Sequence, residues 1–470
     1  KSQSTSQNPA GTTGAGDPGS PDERARATEA RMTDDERFSL LISILGTVPG
    51  GALAPDPRVR NIKNQSAGYT PGIPRLDPAA HRESDLLAFQ IAIERSQPGA
   101  IMSGYNKVNG EPVGGSHHLL NEVLKGAWGY KGYVMSDWGA VPEWEFAVHG
   151  LDQESGAQAD KMMWKLDIEP FVGPLRQAYR DGKFPKERLS DMVQRILRSA
   201  YAVGIDTWKA APAVDLAKHN QIALDIARQG IVLLKNDGAL PLATDKPLKV
   251  AVIGGYAQQG VISGTGSGAV APVGGFAGQM KIGGAGVMGR HRNMTFPADL
   301  AQTPRPELSG LGTPWGTPVT IRYDEGAEAG YRWYAQKNQK PLYAYGHGLS
   351  YTTFDYADFK VSGGETITAT FTVTITGKVA GADVPQVYLT AAPDGPRMRL
   401  LGFERVDLKP GESKTVTLKA DPRLLARFDG PKGLGQWRIA EGTYRVVLGK
   451  SAGDVVRTSD ATLSARMFGR

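Results

Sequence analysis

Asp137 and Trp138 adjoin one another in Gly132 to Val141, GYVMSDWGAV, a short β-branched and aromatic run that stops abruptly in a carboxylate beside an indole. A carboxylate past the end of a strand can attack a carbon or move a proton, and an indole can stack on the apolar face of a sugar ring. In a barrel of alternating strands and helices the catalytic groups sit on the loops after the strands, which is where this pair would fall. The competing structural reading is a loop Asp that caps the next helix. Met102 and Tyr105 end an earlier apolar run, GAIMSGY. A tyrosine there needs a partner for its hydroxyl. Met102 has a competing reading as core filler.

These side chains require elements to place them. Gly99 to Tyr105 reads as a strand and Asn106 to Gly115 as a turn-rich loop. Ser116 is the N-cap of a helix through Lys125 that carries Leu119, Leu120, Val123 and Leu124. Gly126 and Gly129 stop that helix, and the strand Gly132 to Ser136 follows. A crossover of this kind joins parallel strands, so Met102, Tyr105 and Asp137 are expected on one rim.

Upstream, Asp22 to Leu45 has helical character with Met32, Phe38, Leu41 and Ile44 toward one face, Gly46 to Pro78 reads as loop, and Ser84 to Arg95 as an amphipathic helix. Downstream, Pro185 to Val203 is a strong amphipathic helix ended by Gly204. Ile205 to Val214 reads as linker, followed by a helix to about Gln229 and strands Ile231 to Leu234 and Lys249 to Ile253. The glycine-rich Gly254 to Gly289 has no GxGxxG opening a helix and no Walker lysine. It is read as a loop that approaches a ligand with its backbone, not as a phosphate cradle. From Tyr356 the pattern alternates. Thr366 to Thr376, Gln386 to Thr390, Lys414 to Leu418 and Thr443 to Leu448 read as strands of a small β-sandwich.

With 470 residues the chain is long enough for about three domains, and 59 Gly and 31 Pro make it rich in loops. A formal charge of +6 is spread without a basic block, so nucleic acid is not an expected partner. The cysteine count of 0 excludes disulfides, thiol nucleophiles and thiolate metal sites. None of the 7 histidines stands in a metal-ligand pattern: the adjacent His117 and His118 would point in different directions on a helix, so neither metal nor cofactor is expected. No apolar run reaches the roughly 20 residues of a bilayer span, so membrane insertion is not expected. Residues 1–19 are rich in Ser, Gly, Pro, Thr and Gln, as in segments that follow a removed leader or link a tag.

Four stretches resemble the family 3 glycoside hydrolases of the β-glucosidase type: Pro98 to Val141, ARQGIVLLKNDGALPL from Ala227 to Leu242, GTGSGA from Gly264 to Ala269, and EGAEAGYRWY with YGHGLSYTTFDY between Glu325 and Tyr356. The resemblance implies a multidomain α/β protein. A flexible tail at 1–21 would lead into a (β/α)-barrel-like catalytic domain at 22–204, then a linker and helix at 205–230. An α/β sandwich domain at 231–345 and a fibronectin type III-like β-sandwich at 346–470 would follow. Both α/β domains are expected to be truncated: the sequence passes from GIPRL at Leu76 straight to PAAHRESDLLAF, and a second jump falls around Gly289 to Asn293. The first jump omits the family's early aspartate, its arginine and its Lys-His pair. The second omits the loop that supplies the acid/base glutamate.

Carried over by position, Asp137 matches the family's nucleophile and Trp138 the indole lining the glycone subsite. Met102 and Tyr105 match side chains shaping that subsite, and Ser267 a position where the second domain leans over the barrel mouth. The implied activity is that of a retaining, exo-acting β-glucosidase. It needs two carboxyl groups about 5–5.5 Å apart, and only the first is assigned. Glu143, Glu145, Glu154 and Glu325 are candidates for the second, each also readable as a solvated charge, so the acid/base residue stays unassigned. A β-xylosidase and a carbohydrate-binding relative with impaired chemistry are the alternatives; the N-acetylglucosaminidase branch is disfavoured because its histidine loop is not visible. The expected partner is a β-glucoside or short β-linked oligosaccharide, with a homodimer permitted and a periplasmic or secreted bacterial location.

Overall fold

The structure, a computed structural model, describes residues 19–43, 76–157, 161, 166–207, 215–253 except 244 and 246, and 325–469, with the backbone of 66–67 and 320–321. The chain divides into two units, 1–235 with 312–470 and 236–311.

The expected single helix after the tail is two, α1 (Pro21–Glu29) and α2 (Asp34–Leu40). Each starts in a capping box. The Ser20 hydroxyl accepts the Glu23 N–H at 3.3 Å while Glu23 accepts the Ser20 N–H at 2.8 Å. Thr33 and Glu36 repeat this at 3.3 and 2.8 Å, which starts a new helix and breaks the first. Strand β1 (Ile42–Ser43) follows, and the loop expected from 46 to 78 lies mostly outside the described residues. Within it β2 (Ser66–Ala67) is formed. Its expected end is instead the start of α3 (Pro78–Glu83), N-capped by Asp77, whose carboxylate accepts the Ala80 N–H at 2.7 Å. Helix α4 (Asp85–Ser96) matches the amphipathic reading and ends at Gln97 in the left-handed region, φ 45°.

The strand, helix, strand unit is present. It comprises β3 (Ala100–Met102), the short hairpin of β4 (Lys107–Val108) and β5 (Glu111–Pro112), α5 (His118–Ala127) and β6 (Tyr133–Met135). Helix α5 is wound as a π-helix with His117 at its N-cap in place of the expected Ser116, whose hydroxyl accepts the Leu119 N–H at 3.3 Å from one residue further back. Strands β3 and β6 are parallel with Met102 opposite Met135. On its other side β6 bridges Gln153 in parallel, leading into β7 (Glu154–Ser155), which pairs in parallel with β1. The described arc therefore runs β3–β6–β7–β1, with the first strand of this region beside its last described one, as a barrel requires. Among the described residues, the outer edges of β3 and β1 have no strand neighbour. The arc packs on α6 (Pro174–Arg180) and α7 (Lys186–Ala202) through a core of Phe38, Leu41, Val134, Leu151, Phe171 and Met192. Gly204, at φ 70°, closes this region.

Helix α8 (Leu216–Gly230) forms where expected. The strand expected at 231–234 does not: Leu233 makes a single antiparallel bridge to Leu349. Of the second unit, 236–253 are described. The Asn236 side chain accepts the Leu240 N–H and donates to its carbonyl, at 3.1 and 2.7 Å. The strand expected at 249–253 is absent among the described residues. Val250, Val252 and Ile253 are exposed, and β-branched residues alone do not make a strand without a partner ladder.

Strand β8 (Thr320–Ile321) joins β2 in parallel, and α9 (Tyr331–Gln336) precedes the sandwich. One sheet of the sandwich orders β15 (Ser413–Lys419), β10 (Thr368–Ile375) and β9 (Phe354–Ser362). The other orders β13 (Gly395–Phe403), β12 (Gln386–Ala392), β18 (Gly442–Ser451) and β19 (Asp454–Leu463). Smaller ladders pair β11 (Gly381–Asp383) with β14 (Val406–Leu408), and β16 (Arg427–Asp429) with β17 (Gln436–Ile439) and β20 (Arg466–Phe468). Burial alternates strictly along β10, so Ala369, Phe371, Val373 and Ile375 face the core.

Helices α3 and α4 dock on the sandwich, and Leu87 is part of its core with Ala79 and Ile91 packed against it. Glu83 accepts the Phe428 N–H at 2.9 Å and pairs with Arg427 at 3.0 Å, while Arg399 forms a bidentate pair with Glu328. Arg82, 1% exposed, lies with its guanidinium 4.4 Å from the Phe428 ring centroid and 5.3 Å from that of Trp128. Burial, and then the charge of Arg423, lower its pKa to about 10.

Candidate active site

Asp137 follows directly on the last residue that the neighbouring strands hold. Ser103 N–H donates to the Met135 carbonyl at 2.8 Å from the β3 side. Ser136 N–H donates to Gln153 O at 2.9 Å, and the Ser136 hydroxyl accepts the Ser155 N–H at 2.9 Å, from the β7 side. The chain then turns sharply: Ala140 N–H donates to Asp137 O at 3.2 Å, and Gly139 supplies the positive φ of 76° that such a turn demands. This turn leaves the Asp137 carboxylate just beyond the sheet, 8% exposed, with one oxygen accepting the Trp138 N–H at 2.7 Å.

Trp138 is half-buried beside it, and the Tyr105 hydroxyl donates to the Trp138 carbonyl. The structure thus brings Tyr105, Asp137 and Trp138 together. Met102 is 54% exposed, which excludes the core-filler reading. Ser267 lies outside the described residues.

The carboxyl candidates separate clearly. Glu154, read from sequence as a solvated charge, is 0% exposed and accepts the Phe171 N–H at 2.7 Å ahead of α6, so its carboxylate is engaged in the interior. Glu325 lines a cavity of about 580 Å³ bounded by α3, α9 and the sandwich, together with Glu328, Arg332 and Arg427. Glu143 is exposed at the start of a short 3₁₀ helix after Asp137, and Glu145 is half-buried within it. Among the described residues no cluster of His, Asp or Glu has the form of a metal site. No described helix is long and apolar enough to cross a membrane.

Residues that the sequence reading passed over are Lys125, Asp152, Arg188 and Arg195, which grip β6 from behind. A lysine ending an apolar helix and an aspartate two residues after a glycine were the available signals.

A multidomain α/β protein with a carboxylate beside an indole at the end of a parallel strand is the class these features define. Sequence profiles agree: the glycosyl hydrolase family 3 N-terminal domain matches residues 67–199, the C-terminal domain of that family 231–282, and a fibronectin type III-like domain 383–452. The chain thus carries N- and C-terminal domains of the glycosyl hydrolase family 3 type, followed by a fibronectin type III-like domain. The thermostable beta-glucosidase B of Acetivibrio thermocellus is 26% identical over 81% of this chain and 65% of its own length. An exo-alpha-(1->6)-L-arabinopyranosidase of Bifidobacterium breve is 26% identical over 83% of this chain and 66% of its own. The chain thus spans about two thirds of the length of these relatives. Beta-glucosidase 3B from Thermotoga neapolitana, solved in complex with alpha-D-glucose, superposes with a TM-score of 0.72 at 23% identity, covering 86% of this chain and 75% of that one, which shows the shared fold.

Proposed function

We propose that the chain is a retaining, exo-acting β-glucosidase in which Asp137 is the nucleophile. The observation that carries this reading is the carboxylate held just past β6 by the Trp138 N–H, beside the Trp138 ring at the end of a parallel strand. Its similarity to glycosyl hydrolase family 3 domains and to beta-glucosidases supports the substrate class. The carboxylate attacks the anomeric carbon of a terminal β-glucosyl residue, the bond to the aglycone oxygen breaks, and that oxygen leaves with a proton. Water then attacks the anomeric carbon from the face the aglycone left, passing its proton to the group that protonated the aglycone and releasing Asp137 as carboxylate, so two inversions leave the configuration retained. Trp138 presents a flat apolar surface to the ring. The proton donor is a second carboxyl group that the described residues do not assign.

The test is incubation of the full chain with an aryl β-glucoside and, separately, with a slow fluorinated β-glucoside. Turnover of the first and a glucosyl adduct on the peptide carrying Asp137 from the second are expected, and Asp137→Asn abolishes both. An Asn variant as fast as the parent refutes the assignment. Aryl β-xyloside and α-L-arabinopyranoside in the same panel fix the glycone.

A second reading has its own observation. The carboxyl candidate Glu154 is engaged in the interior by the Phe171 N–H, which suits a sugar-binding relative without turnover. It predicts glucose binding that depends on Trp138 and no release of aglycone.

A further inference from the structure

Behind β6 lies a buried cluster of charge that the proposed chemistry does not use. Asp152 is 0% exposed. One carboxylate oxygen accepts the main-chain N–H of Val134 at 2.8 Å. The other accepts the Lys125 ammonium and the Arg188 guanidinium, each at 2.7 Å. The two cations come from different helices, Lys125 from α5 and Arg188 from the first turn of α7. Both also hold the loop that leads into β7: Lys125 donates to Gly150 O at 2.7 Å, and Arg188 to Ala147 O and Leu151 O at 2.8 and 2.9 Å. Further along α7, Arg195 donates to the carbonyls of Tyr130 and Gly132 at 2.8 and 3.0 Å, just ahead of β6.

The Val134 bond stands where the sheet would ordinarily place a main-chain rung. Along β6, Tyr133 N–H donates to Gly99 O at 3.1 Å on the β3 side, and Ser136 N–H to Gln153 O at 2.9 Å on the β7 side. Val134 faces the β7 side as well, and its carbonyl accepts both Asp152 N–H and Gln153 N–H, at 2.9 and 3.0 Å. Its N–H goes to the Asp152 side chain instead of to a neighbouring carbonyl. A neutral acceptor would satisfy that N–H without burying three charges, and burying charge is costly even when it is paired. What the charged version adds is rigidity: one carboxylate fixes the strand to two helices at once, three residues before Asp137. Three extended residues span about 10 Å, so a shift at Val134 is carried directly to the carboxylate.

We propose that Asp152, clamped by Lys125 and Arg188, is a positioning residue that sets the height of β6 and thereby the reach of the Asp137 carboxylate toward the anomeric carbon. This rests on Asp137 being the nucleophile. A misplacement of about 1 Å at a reacting group is enough to cost roughly a hundredfold in rate.

The experiment follows the rate constant for adduct formation on Asp137 with the slow fluorinated β-glucoside, in the full chain, alongside glucose affinity by calorimetry. Asp152→Asn keeps an acceptor for Val134 but loses the charge. It is expected to lower the labelling rate constant about 10- to 100-fold, with glucose affinity within about threefold of the parent. Lys125→Met is expected to lower it also, and Lys125→Arg to restore it. A purely structural cluster would change the fraction of molecules that label and bind glucose, leaving the rate constant untouched, and that result overturns the inference. So does labelling at the parental rate in both Asp152→Asn and Lys125→Met, which leaves the nucleophile assignment standing. A parent that forms no adduct on Asp137 removes both. Should Asp152→Asn not fold, the Lys125→Met and Lys125→Arg pair decides.

Discussion

Tyr105 donates its phenolic hydrogen to the main-chain carbonyl of Trp138, tying the end of β3 to the turn that carries Asp137. The hydroxyl therefore acts on the frame of the site before any ligand arrives. Tyr105→Phe keeps the ring and removes one hydrogen bond, a loss of about 1 kcal/mol if it falls on the transition state. The expected result is a roughly fivefold fall in kcat/KM for an aryl β-glucoside, with the thermal midpoint little changed.

Trp138 is proposed as a binding surface, so its loss acts chiefly on affinity. Trp138→Ala is expected to raise KM about tenfold with a smaller change in kcat, consistent with an aromatic contact of about 1 kcal/mol beyond area burial. Steady-state kinetics across substrate concentration separate the two parameters.

Glu83 ties α3 to the sandwich by accepting the Phe428 N–H and pairing with Arg427. Glu83→Ala removes one member of a buried charged network and leaves its partners uncompensated. A destabilisation of about 3–5 kcal/mol is expected, read from denaturant unfolding against the parent.

Acid should loosen the same junction. Burial alone would raise the Glu328 carboxyl, but hydrogen bonds and charge from Arg399, then Arg427 and Arg332, hold it below the ordinary value of 4.5. A carboxyl lowered on folding stabilises the native state above its unfolded pKa, and that contribution is lost as pH falls through the folded value. Unfolding midpoints are expected to drop below about pH 4.5, and Glu328→Gln to flatten that part of the profile.

Lys125 adds a second rise of stability with pH, at the alkaline end. Burial pulls its pKa from 10.5 down to about 8, against the attraction of Asp152. Between those values the unfolded chain binds the extra proton, so stability rises with pH from about 8 to about 10.5. Lys125→Met is expected to remove that rise, measured as denaturant midpoints over the same window.

Much of the site's framework was legible because it is local. Glycines stop α5 and restart the chain, apolar runs mark β3 and β6, and the crossover rule makes the two strands parallel. The alternation in β10 likewise announces a sheet with one buried face. The break between α1 and α2 was also written in the sequence, as Ser20 with Glu23 and Thr33 with Glu36, but helical periodicity masked it. What stayed hidden depends on distant partners. Val250 and Val252 have strand propensity without a described ladder to join. Glu154 resembled a solvated charge until Phe171 was seen to occupy it, and the Asp152 cluster draws on three separate elements.

The placement of Leu87, Ala79 and Ile91 against the interior of the C-terminal sandwich has a practical corollary. Scissors applied just before Phe354 would not free a self-sufficient module, because the excised piece would carry a raw greasy wound where those helices sat. A fragment retaining residues 76–97, supplied in trans or fused through a short tether, should stay dissolved where the bare sandwich clumps.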